Sequence, residues 1–248
     1  MEKLVGVLPP VVFVVFLIAE RLWPARPLPR VRGWFWKGLL FFLLAGAMMS
    51  SVPQLWAGWA HTHRLFNLDG LGTGWGVLVG IVATDFIIYW FHRLRHAVKP
   101  LWRLHQMHHS AERLDVASAF YFHPLEVVLF AFVTTFIAHI VVGVNAQAAA
   151  LVGMYGLFVS VFTHANIRTP RWLGYVIQRP EAHAIHHQRG VHAFNYGGLA
   201  LWDAVFGTYR NPATFTGEVG FWDGASAQMG PLLAGLDVTE RVGRAVEA

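Results

Sequence analysis

The sequence predicts an all-α fold: an integral membrane helical bundle of four to five membrane helices, with a cytoplasmic helical cap that carries clusters of histidine. Three observations predict it: the composition, a series of long apolar stretches, and the placement of basic residues between them. The 248 residues are 55% hydrophobic and 13% charged, with a mean hydropathy of +0.45. Because a soluble domain carries roughly 25% charged residues, the composition indicates that lipid solvates much of the chain.

Five apolar stretches are candidates for crossing a bilayer, which requires about 20 helical residues each. They comprise residues 4–19, 38–60, 74–91, 125–144 and 146–162. The first lacks a small-residue cleavage site, so we interpret it as a retained helix rather than a removed signal peptide. Only a few residues around Gly143 join the last two, which predicts a tight helical hairpin whose members need not both cross the full bilayer.

The positive-inside rule orients these stretches. Basic residues follow the first, third and fifth stretches, whereas the opposite loops contain only Arg64. We therefore expect the amino terminus outside and the carboxyl terminus inside. On this topology every histidine cluster lies on the cytoplasmic face. The basic residues are Arg21, Arg26, Arg30, Arg32 and Lys37, then Arg93, Arg95, Lys99 and Arg103, then Arg168, Arg171 and Arg179.

No polar linker divides the chain, so we interpret residues 1–248 as a single membrane domain. Residues 210–248 are richer in glycine and polar residues. We expect them to form a peripheral cytoplasmic tail with little regular structure and one short amphipathic helix near 238–246.

The charge balance and the lack of cysteine exclude several functions. A net charge of +5 would favour nucleic-acid binding in a soluble protein, but membrane topology explains these basic residues, and we expect no nucleic-acid partner. The sequence contains no cysteine, which excludes disulfides, thiolate-ligated haem and iron–sulfur clusters with cysteine ligands.

Histidine is unusually abundant, with 14 residues against 14 Asp and Glu together. Residues three or four apart share one helix face, and adjacent residues point about 100° apart. A His-x-x-His-His triplet can therefore offer ligands to two metal ions. The three clusters are His92 and His96; His105, His108 and His109; and His183, His186 and His187. Two ions with four or five ligands each would require about this number, plus one or two more.

Several further polar residues lie close to the clusters. His164 ends the fifth apolar stretch on the cytoplasmic side, and we predict it to be a ninth ligand. Asp85 shares a helix face with His92, and an acid inside a membrane helix is a functional candidate. We expect it to bond to a ligand ring or to pack against another helix. His123 either orients the site or caps a helix, and His192 is expected to orient the third cluster.

Neutral imidazole suits iron, zinc and copper, and the spacing does not choose among them. The lack of carboxylates within the clusters favours oxygen chemistry, because anions derived from dioxygen would offset the charge of an all-nitrogen centre. Two other classes stay open. A zinc-dependent membrane hydrolase would use zinc-bound water, although the chain lacks a His-Glu-x-x-His element. A histidine-rich metal transporter or haem carrier would favour ligands near the bilayer midplane, whereas these clusters follow the apolar stretches.

In this order, the motifs resemble those of the fatty acid hydroxylase/sterol desaturase superfamily. The resemblance covers residues 84–209. The His-x-x-His-His element is shared with other membrane desaturases, and its combination with Asn-Tyr-Gly and Trp-Asp-x-x-Phe-Gly-Thr is more specific. The matching segments are Asp85 to His96, Leu104 to Ser110, His123-Pro124-Leu125-Glu126, His183 to His187, Asn195-Tyr196-Gly197 and Leu201 to Thr208.

The resemblance implies an oxygen-dependent centre of two iron ions, bound by the three clusters and His164, for which zinc can substitute in purified protein. Such a centre hydroxylates or desaturates an unactivated C–H bond of a sterol, fatty acyl chain or related lipid. Asn195 would approach the metal or cap a loop. Some members have four residues between the histidines of the first cluster where this chain has three, which leaves the substrate open.

An external electron-transfer protein is expected as a partner, alongside the lipid substrate and membrane lipids, because no haem, flavin or ferredoxin domain is fused. We expect a multi-pass protein of a bacterial inner membrane, with the endoplasmic reticulum as the alternative.

Overall fold

The computed structural model describes residues 2–137 and 142–240, and within these ranges it contains helices and no β-strand. The predicted all-α membrane fold is confirmed. The helices are α1 (Glu2–Leu22), α2 (Trp34–Ser51), α3 (Ala57–Thr62), α4 (Gly72–Ala97), α5 (Lys99–His109), α6 (Pro124–Thr135), α7 (Ala146–His164), α8 (Pro180–His186), α9 (Ala200–Val205) and α10 (Met229–Leu233).

Three segments of the described chain are long and apolar enough to cross a membrane: Trp34–Leu55, Asp69–Ala97 and Ala146–His164. Less than a third of each apolar window is buried inside the protein, so most of these side chains face outward, as lipid-exposed side chains do. α1 is also long, at 21 residues. α6 has 12 residues, fewer than a full span requires, which is compatible with the predicted hairpin.

The second predicted stretch, 38–60, differs from the helix observed. α2 begins earlier, at Trp34, and ends at Ser51, where a 3₁₀ turn over Val52–Leu55 contains Pro53. Proline lacks the N–H that continues an α-helix, so the regular helix ends there and the short α3 follows.

Close packing between α4 and α7 depends on small residues. Gly76 lies against Ala148 and Gly80 against Val152. A Cβ atom at Gly80 would lie 2.7 Å from a methyl group of Val152. The absence of a side chain at these positions allows the two apolar helices to approach closely.

α4 is longer than its apolar stretch, and its continuation brings the first two histidine clusters together. Its 26 residues include both His92 and His96. The chain then turns at Val98, which has an extended backbone, and α5 begins at once with Pro100 in its first turn. Proline favours this position because its fixed φ suits a helix start. The second cluster, on α5, therefore folds back against the first.

The described part of the tail packs against the helical bundle, a contact that the sequence did not predict. Phe221, Ala225, Leu232 and Val238 are buried in the same hydrophobic cluster as Phe13 of α1. The segment also contains α10. The sequence pattern did not show this, because these apolar residues are scattered without helical or strand periodicity.

Hydrogen bonds from α5 and the loop after it hold the tail in place. The Glu112 carboxylate accepts from the backbone N–H groups of Gly224 and Ser226. The Gln106 side chain accepts from the N–H of Val238 and donates to the carbonyl of Leu236. Most of the helix predicted near 238–246 lies outside the described residues.

A pair of glycine substitutions on α2 tests its packing. A Cβ atom at Gly38 would lie 2.4 Å from the Cβ atom of Ala117, whereas one at Gly46 meets nothing within 4 Å. We expect Gly38→Ala to lower the free energy of unfolding by about 1–3 kcal/mol through overpacking. Gly46→Ala, the matched control, should be neutral or stabilise the protein by up to about 1 kcal/mol. Thermal unfolding in detergent measures both, and equal midpoints would contradict the packing.

Candidate metal centre

All nine predicted ligand histidines converge inside the protein, on α4, α5, α7, α8 and the residue after α8. They form two groups, and within each group the candidate ligand nitrogens lie within 4.8 Å of one another. The first group contains His92, His96, His105, His109 and His186, and the second contains His108, His164, His183 and His187.

Each His-x-x-His-His triplet contributes to both groups, as the helical directions predict. On α5, His105 and His109 lie four residues apart and join the first group, whereas His108 joins the second. The third cluster divides the other way, since only its middle histidine, His186, joins the first group. Adjacent residues on a helix point about 100° apart, so one short helix supplies two neighbouring centres.

Hydrogen-bond acceptors fix the tautomer of several rings. A carbonyl oxygen only accepts, so an Nδ1 atom beside it must carry the ring proton, and the Nε2 atom then keeps its lone pair. The Nδ1 atoms lie 2.9 Å from the Tyr196 carbonyl for His92, 2.8 Å from the Phe194 carbonyl for His186 and 2.7 Å from the Ser160 carbonyl for His164.

The free lone pairs face one another. His92 Nε2 lies 3.1 Å from His105 Nε2, and both rings place their Nδ1 atoms against acceptors, so no proton is available between them. In the second group, His164 Nε2 lies 3.1 Å from His108 Nε2, but no partner fixes the tautomer of the His108 ring. Two lone pairs at this distance, as between His92 and His105, repel unless a cation lies between them. The donor set therefore fits a transition-metal ion, for which imidazole is a common ligand.

Burial also keeps the imidazoles of α5 and the third cluster neutral, which is the form that ligates metals. Burial lowers the pKa of His186 from 6.5 to about 3. For the others, burial is again the main cause and nearby histidine and arginine charges add to it. The histidines whose pKa is held well below 6.5 in this way are His105, His108, His109, His183 and His187.

Glu126 holds the outer nitrogen of His105, a role that the sequence did not predict. Its Oε1 atom lies 2.6 Å from His105 Nδ1 and also pairs with the Arg95 guanidinium. All three side chains are buried. A carboxylate behind a ligand histidine fixes the ring and raises its basicity. The signal in the sequence was an acid at the start of an apolar stretch, within the His-Pro-Leu-Glu motif.

His123 caps a helix and does not orient the histidine groups. Its Nδ1 atom accepts from the N–H of Leu125 in the first turn of α6, and its Nε2 atom donates to the carbonyl of Leu233 in α10. Of the two roles considered for this residue, the structure shows the cap.

Asp85 binds a loop instead of a ligand ring, which corrects one expectation for this residue. Its carboxylate accepts from the N–H groups of Gly198 and Leu199. Seven residues separate it from His92, about 10 Å along a helix. Asp85 is therefore too far along α4 to reach that ring, but it anchors the loop whose Tyr196 carbonyl holds His92.

Asp203 of the Trp-Asp motif holds the same loop from its other side. Its carboxylate accepts from the N–H groups of Tyr196 and Gly197. A Cβ atom at Gly198 would lie 2.7 Å from Asp85 Oδ1, so glycine is needed where the acid approaches the backbone. The Trp-Asp motif thus fixes the Asn-Tyr-Gly loop, whose Tyr196 carbonyl holds His92 of the first group.

Asn195 ties this loop to α8. It has a left-handed backbone, with φ at 50°, a conformation that asparagine tolerates better than most residues. Its side chain donates to the carbonyl of Ala182 and accepts from the N–H of Arg210. Of the two roles that the resemblance implied, these contacts match loop capping.

His192 lies beside the second cluster, although it was expected to orient the third. Its Nδ1 atom lies 3.1 Å from His109 Nδ1. The backbone has a φ of 42°, and this left-handed turn carries the ring across to α5. Burial lowers the pKa of His192 to about 4, so its neutral ring can accept the His109 Nδ1 proton.

Comparisons with known proteins agree with these motifs. A family model described as fatty acid hydroxylase matches residues 77–208. An ornithine lipid hydroxylase from Rhizobium tropici is 32% identical over 178 residues, covering 68% of this chain and 53% of that protein. Human alkylglycerol monooxygenase is 31% identical over 172 residues, covering 65% and 36%. A Delta(7)-sterol-C5(6)-desaturase from Nicotiana tabacum is 33% identical over 141 residues, covering 53% and 48%.

The alignments with these curated relatives span between about a third and a half of the relatives' own length. No solved structure gives a significant match to the chain.

Acid should destabilise the metal-free protein. The pKa values of about 3 for His186 and about 4 for His192 lie below the ordinary value of 6.5. Between these values the two histidines bind more protons in the unfolded chain than in the folded one, so their contribution to the free energy of unfolding falls as the pH is lowered. We expect a falling midpoint of thermal unfolding from about pH 6.5 to pH 4. A flat profile would contradict the burial of neutral histidines.

A substitution of Glu126 tests its role behind the first group. Glu126→Gln keeps the shape of the side chain but removes the negative charge from His105 and Arg95. We expect metal bound at the first group to be lost to a chelator roughly 10–100-fold more readily, as metal release against chelator concentration would show. Glu112→Gln is the control, because that buried carboxylate binds the tail and no histidine. Equal metal retention by the two variants would refute a role for Glu126 in the metal site.

Proposed function

The chain belongs to the fatty acid hydroxylase family, and from this premise we propose that it is an oxygen-dependent, di-iron membrane oxidoreductase that hydroxylates or desaturates a lipid. One observation carries the proposal: nine histidines lie in two adjacent groups, and in the first of them the lone pairs of His92 and His105 face one another without a proton between them. Such groups call for two cations, and an all-nitrogen donor set suits iron.

The ligand assignment follows the two groups. We assign one iron ion to His92, His96, His105, His109 and His186, and the other to His108, His164, His183 and His187. When bound, the iron ions would supply the activation of dioxygen that attack on an unactivated C–H bond requires. Zinc is expected to fill the same ligands when iron is scarce.

The side chains of this protein would hold the centre in a fixed geometry and exclude water from it. Trp102 lies 5.5 Å from the ring of His109, and Phe122 stacks on His108 at 4.2 Å between ring centroids. Hydrogen bonds to Glu126 and to the Tyr196 carbonyl fix the rings of His105 and His92. Orientation set in advance accounts for much of the rate that such sites achieve.

The proposed substrate is a lipid because the matched relatives are named for ornithine lipid, alkylglycerol and sterol. Hydroxylation of a C–H bond by dioxygen consumes two external electrons and two protons and releases water. We therefore propose an external electron-transfer protein as a partner. Three apolar helices of spanning length support a membrane protein, and we propose a bacterial inner membrane, with the centre on the cytoplasmic face; the endoplasmic reticulum is the alternative.

We also propose one domain over residues 1–248, with a catalytic core at 84–209. The packing of Phe221 and Leu232 against α1 supports a single unit, because the tail shares the hydrophobic core of the bundle.

Metal analysis of anaerobically purified protein tests this function. We expect about two iron ions per chain, and oxygen uptake when a reductant and lipid are supplied. His108→Ala with His109→Ala removes one ligand from each group and should lower iron content and oxygen uptake to background. His63→Ala is the control, since His63 is exposed and lies against Trp59, outside both groups.

The lipids of cells that express the protein provide the second measurement. The wild type should produce a lipid that is heavier by one oxygen atom or lighter by two hydrogen atoms, and the double variant should not. Stoichiometric zinc without oxygen uptake would overturn the oxygenase and favour a hydrolase. An unchanged lipid profile with the wild type would reject a lipid substrate.

A further inference from the structure

A groove of about 920 Å³ opens where the ends of α1 and α2 meet the chain that follows α5 and α7. It is separate from both histidine groups, none of whose members lines it. Its walls combine apolar side chains, such as Leu17 and Trp34, with four arginines. The arginines are Arg21, Arg26, Arg113 and Arg168.

Three of these arginines have no acidic partner among the described residues. Arg113 pairs with Asp115 at 2.6 Å. Arg21 lies over the ring of Phe35, and Arg26 lies over that of Phe215. Within the described ranges, no ion pair involves Arg21, Arg26 or Arg168. The groove therefore carries positive charge that no acidic side chain compensates.

The two carboxylates of the groove are satisfied elsewhere. Asp115 is held by Arg113 and also accepts from the indole N–H of Trp34. Glu20 accepts from the backbone N–H groups of Val116 and Asn166. Neither carboxylate forms an ion pair with Arg21, Arg26 or Arg168, so the charge of these three arginines is available to an external anion.

Asn166 holds Arg26 and Arg168 in adjacent chain segments, and the Arg26 guanidinium also donates to the carbonyl of Gly217 at 3.4 Å. Its backbone carbonyl accepts from the N–H of Ala25, and its side-chain amide donates to the carbonyl of Arg26 at 2.8 Å. The backbone of Pro24 pairs with that of Ile167 next to it. Arg26 and Arg168 therefore belong to two chain segments whose backbones are hydrogen-bonded side by side.

Membrane topology alone does not require this convergence. The positive-inside rule accounts for arginines in this loop, but Arg30 and Arg32 satisfy it without lining the groove. The groove also carries Trp36, which is 69% exposed. Tryptophan favours the boundary between lipid and water, so the groove has a charged part and an apolar part at the ends of apolar helices.

We propose that this groove binds an anionic phospholipid, with its phosphate between Arg26 and Arg168 and its acyl chains along the outer faces of α1 and α2. Guanidinium groups bind phosphate oxygens with paired, charge-assisted hydrogen bonds. A free phosphate ion would satisfy the arginines but would leave the apolar walls unused. The site is independent of the proposed oxygenase activity, and neither claim depends on the other.

Native mass spectrometry of the purified full chain with phosphatidylglycerol or phosphatidylcholine tests the site. The wild type should retain phosphatidylglycerol in preference to phosphatidylcholine. Arg26→Gln with Arg168→Gln should weaken phosphatidylglycerol binding roughly thirty-fold, since each arginine near a membrane surface contributes about a factor of five. Arg30→Gln with Arg32→Gln removes the same charge outside the groove and should leave binding close to the wild type.

The single variant Arg168→Gln controls for a folding defect in the double variant, because the Arg168 side chain is exposed and its replacement should not disturb the fold. This variant should weaken phosphatidylglycerol binding only about five-fold. Equal weakening by the two double variants would show diffuse surface charge and overturn the site. Equal retention of the two lipids would also overturn it. Protection from thermal unfolding by inorganic phosphate, to the same degree as by phosphatidylglycerol, would replace the lipid with a free anion.

Discussion

The rest of the structure depends on one constraint: nine histidine rings converge inside the protein, and the lone pairs of at least one pair, His92 and His105, face one another. A buried polar group without a partner costs about 1–3 kcal/mol, and the 3.1 Å contact between His92 Nε2 and His105 Nε2 holds no proton to relieve it. Cations between the rings convert this repulsion into ligation. The same metal ions would then stabilise the folded chain as well as carry the chemistry, because the ligand set does not exist in the unfolded state.

The fold meets this constraint by extending membrane helices beyond their apolar parts. α4 carries a lipid-facing span and then His92 and His96 on one continuous helix, so no flexible joint separates the membrane anchor from the ligands. Behind the rings, Asp85 and Asp203 hold the loop that presents the Tyr196 carbonyl. Two acidic residues far apart in the chain therefore act on the position of a single ring.

The sequence predicted what depends on local geometry and missed what depends on tertiary contacts. Spacings of three and four residues were sufficient to select eight of the histidines and to predict that each triplet can offer ligands to two metal ions, because helix geometry is local. The contact of Asp85 with a loop more than 100 residues later, and the role of Glu126 behind His105, arise only once the helices pack. The packing of the tail was not predicted for the same reason, since Leu232 is buried by partners distant in sequence.

The two histidine groups are not equivalent. In the first, outer hydrogen bonds to Glu126 and to backbone carbonyls hold three rings. In the second, only His164 has such a carbonyl contact among the described residues, and the buried Nδ1 atoms of three rings have no partner there: His108, His183 and His187. Their orientation rests on packing, as with His108 against Phe122.

A ring held by packing alone turns at lower cost than one held by a charged hydrogen bond, and the second group also has one histidine fewer. Fewer hydrogen bonds therefore hold the second group than the first, and a change of ligands would demand least rearrangement at the second.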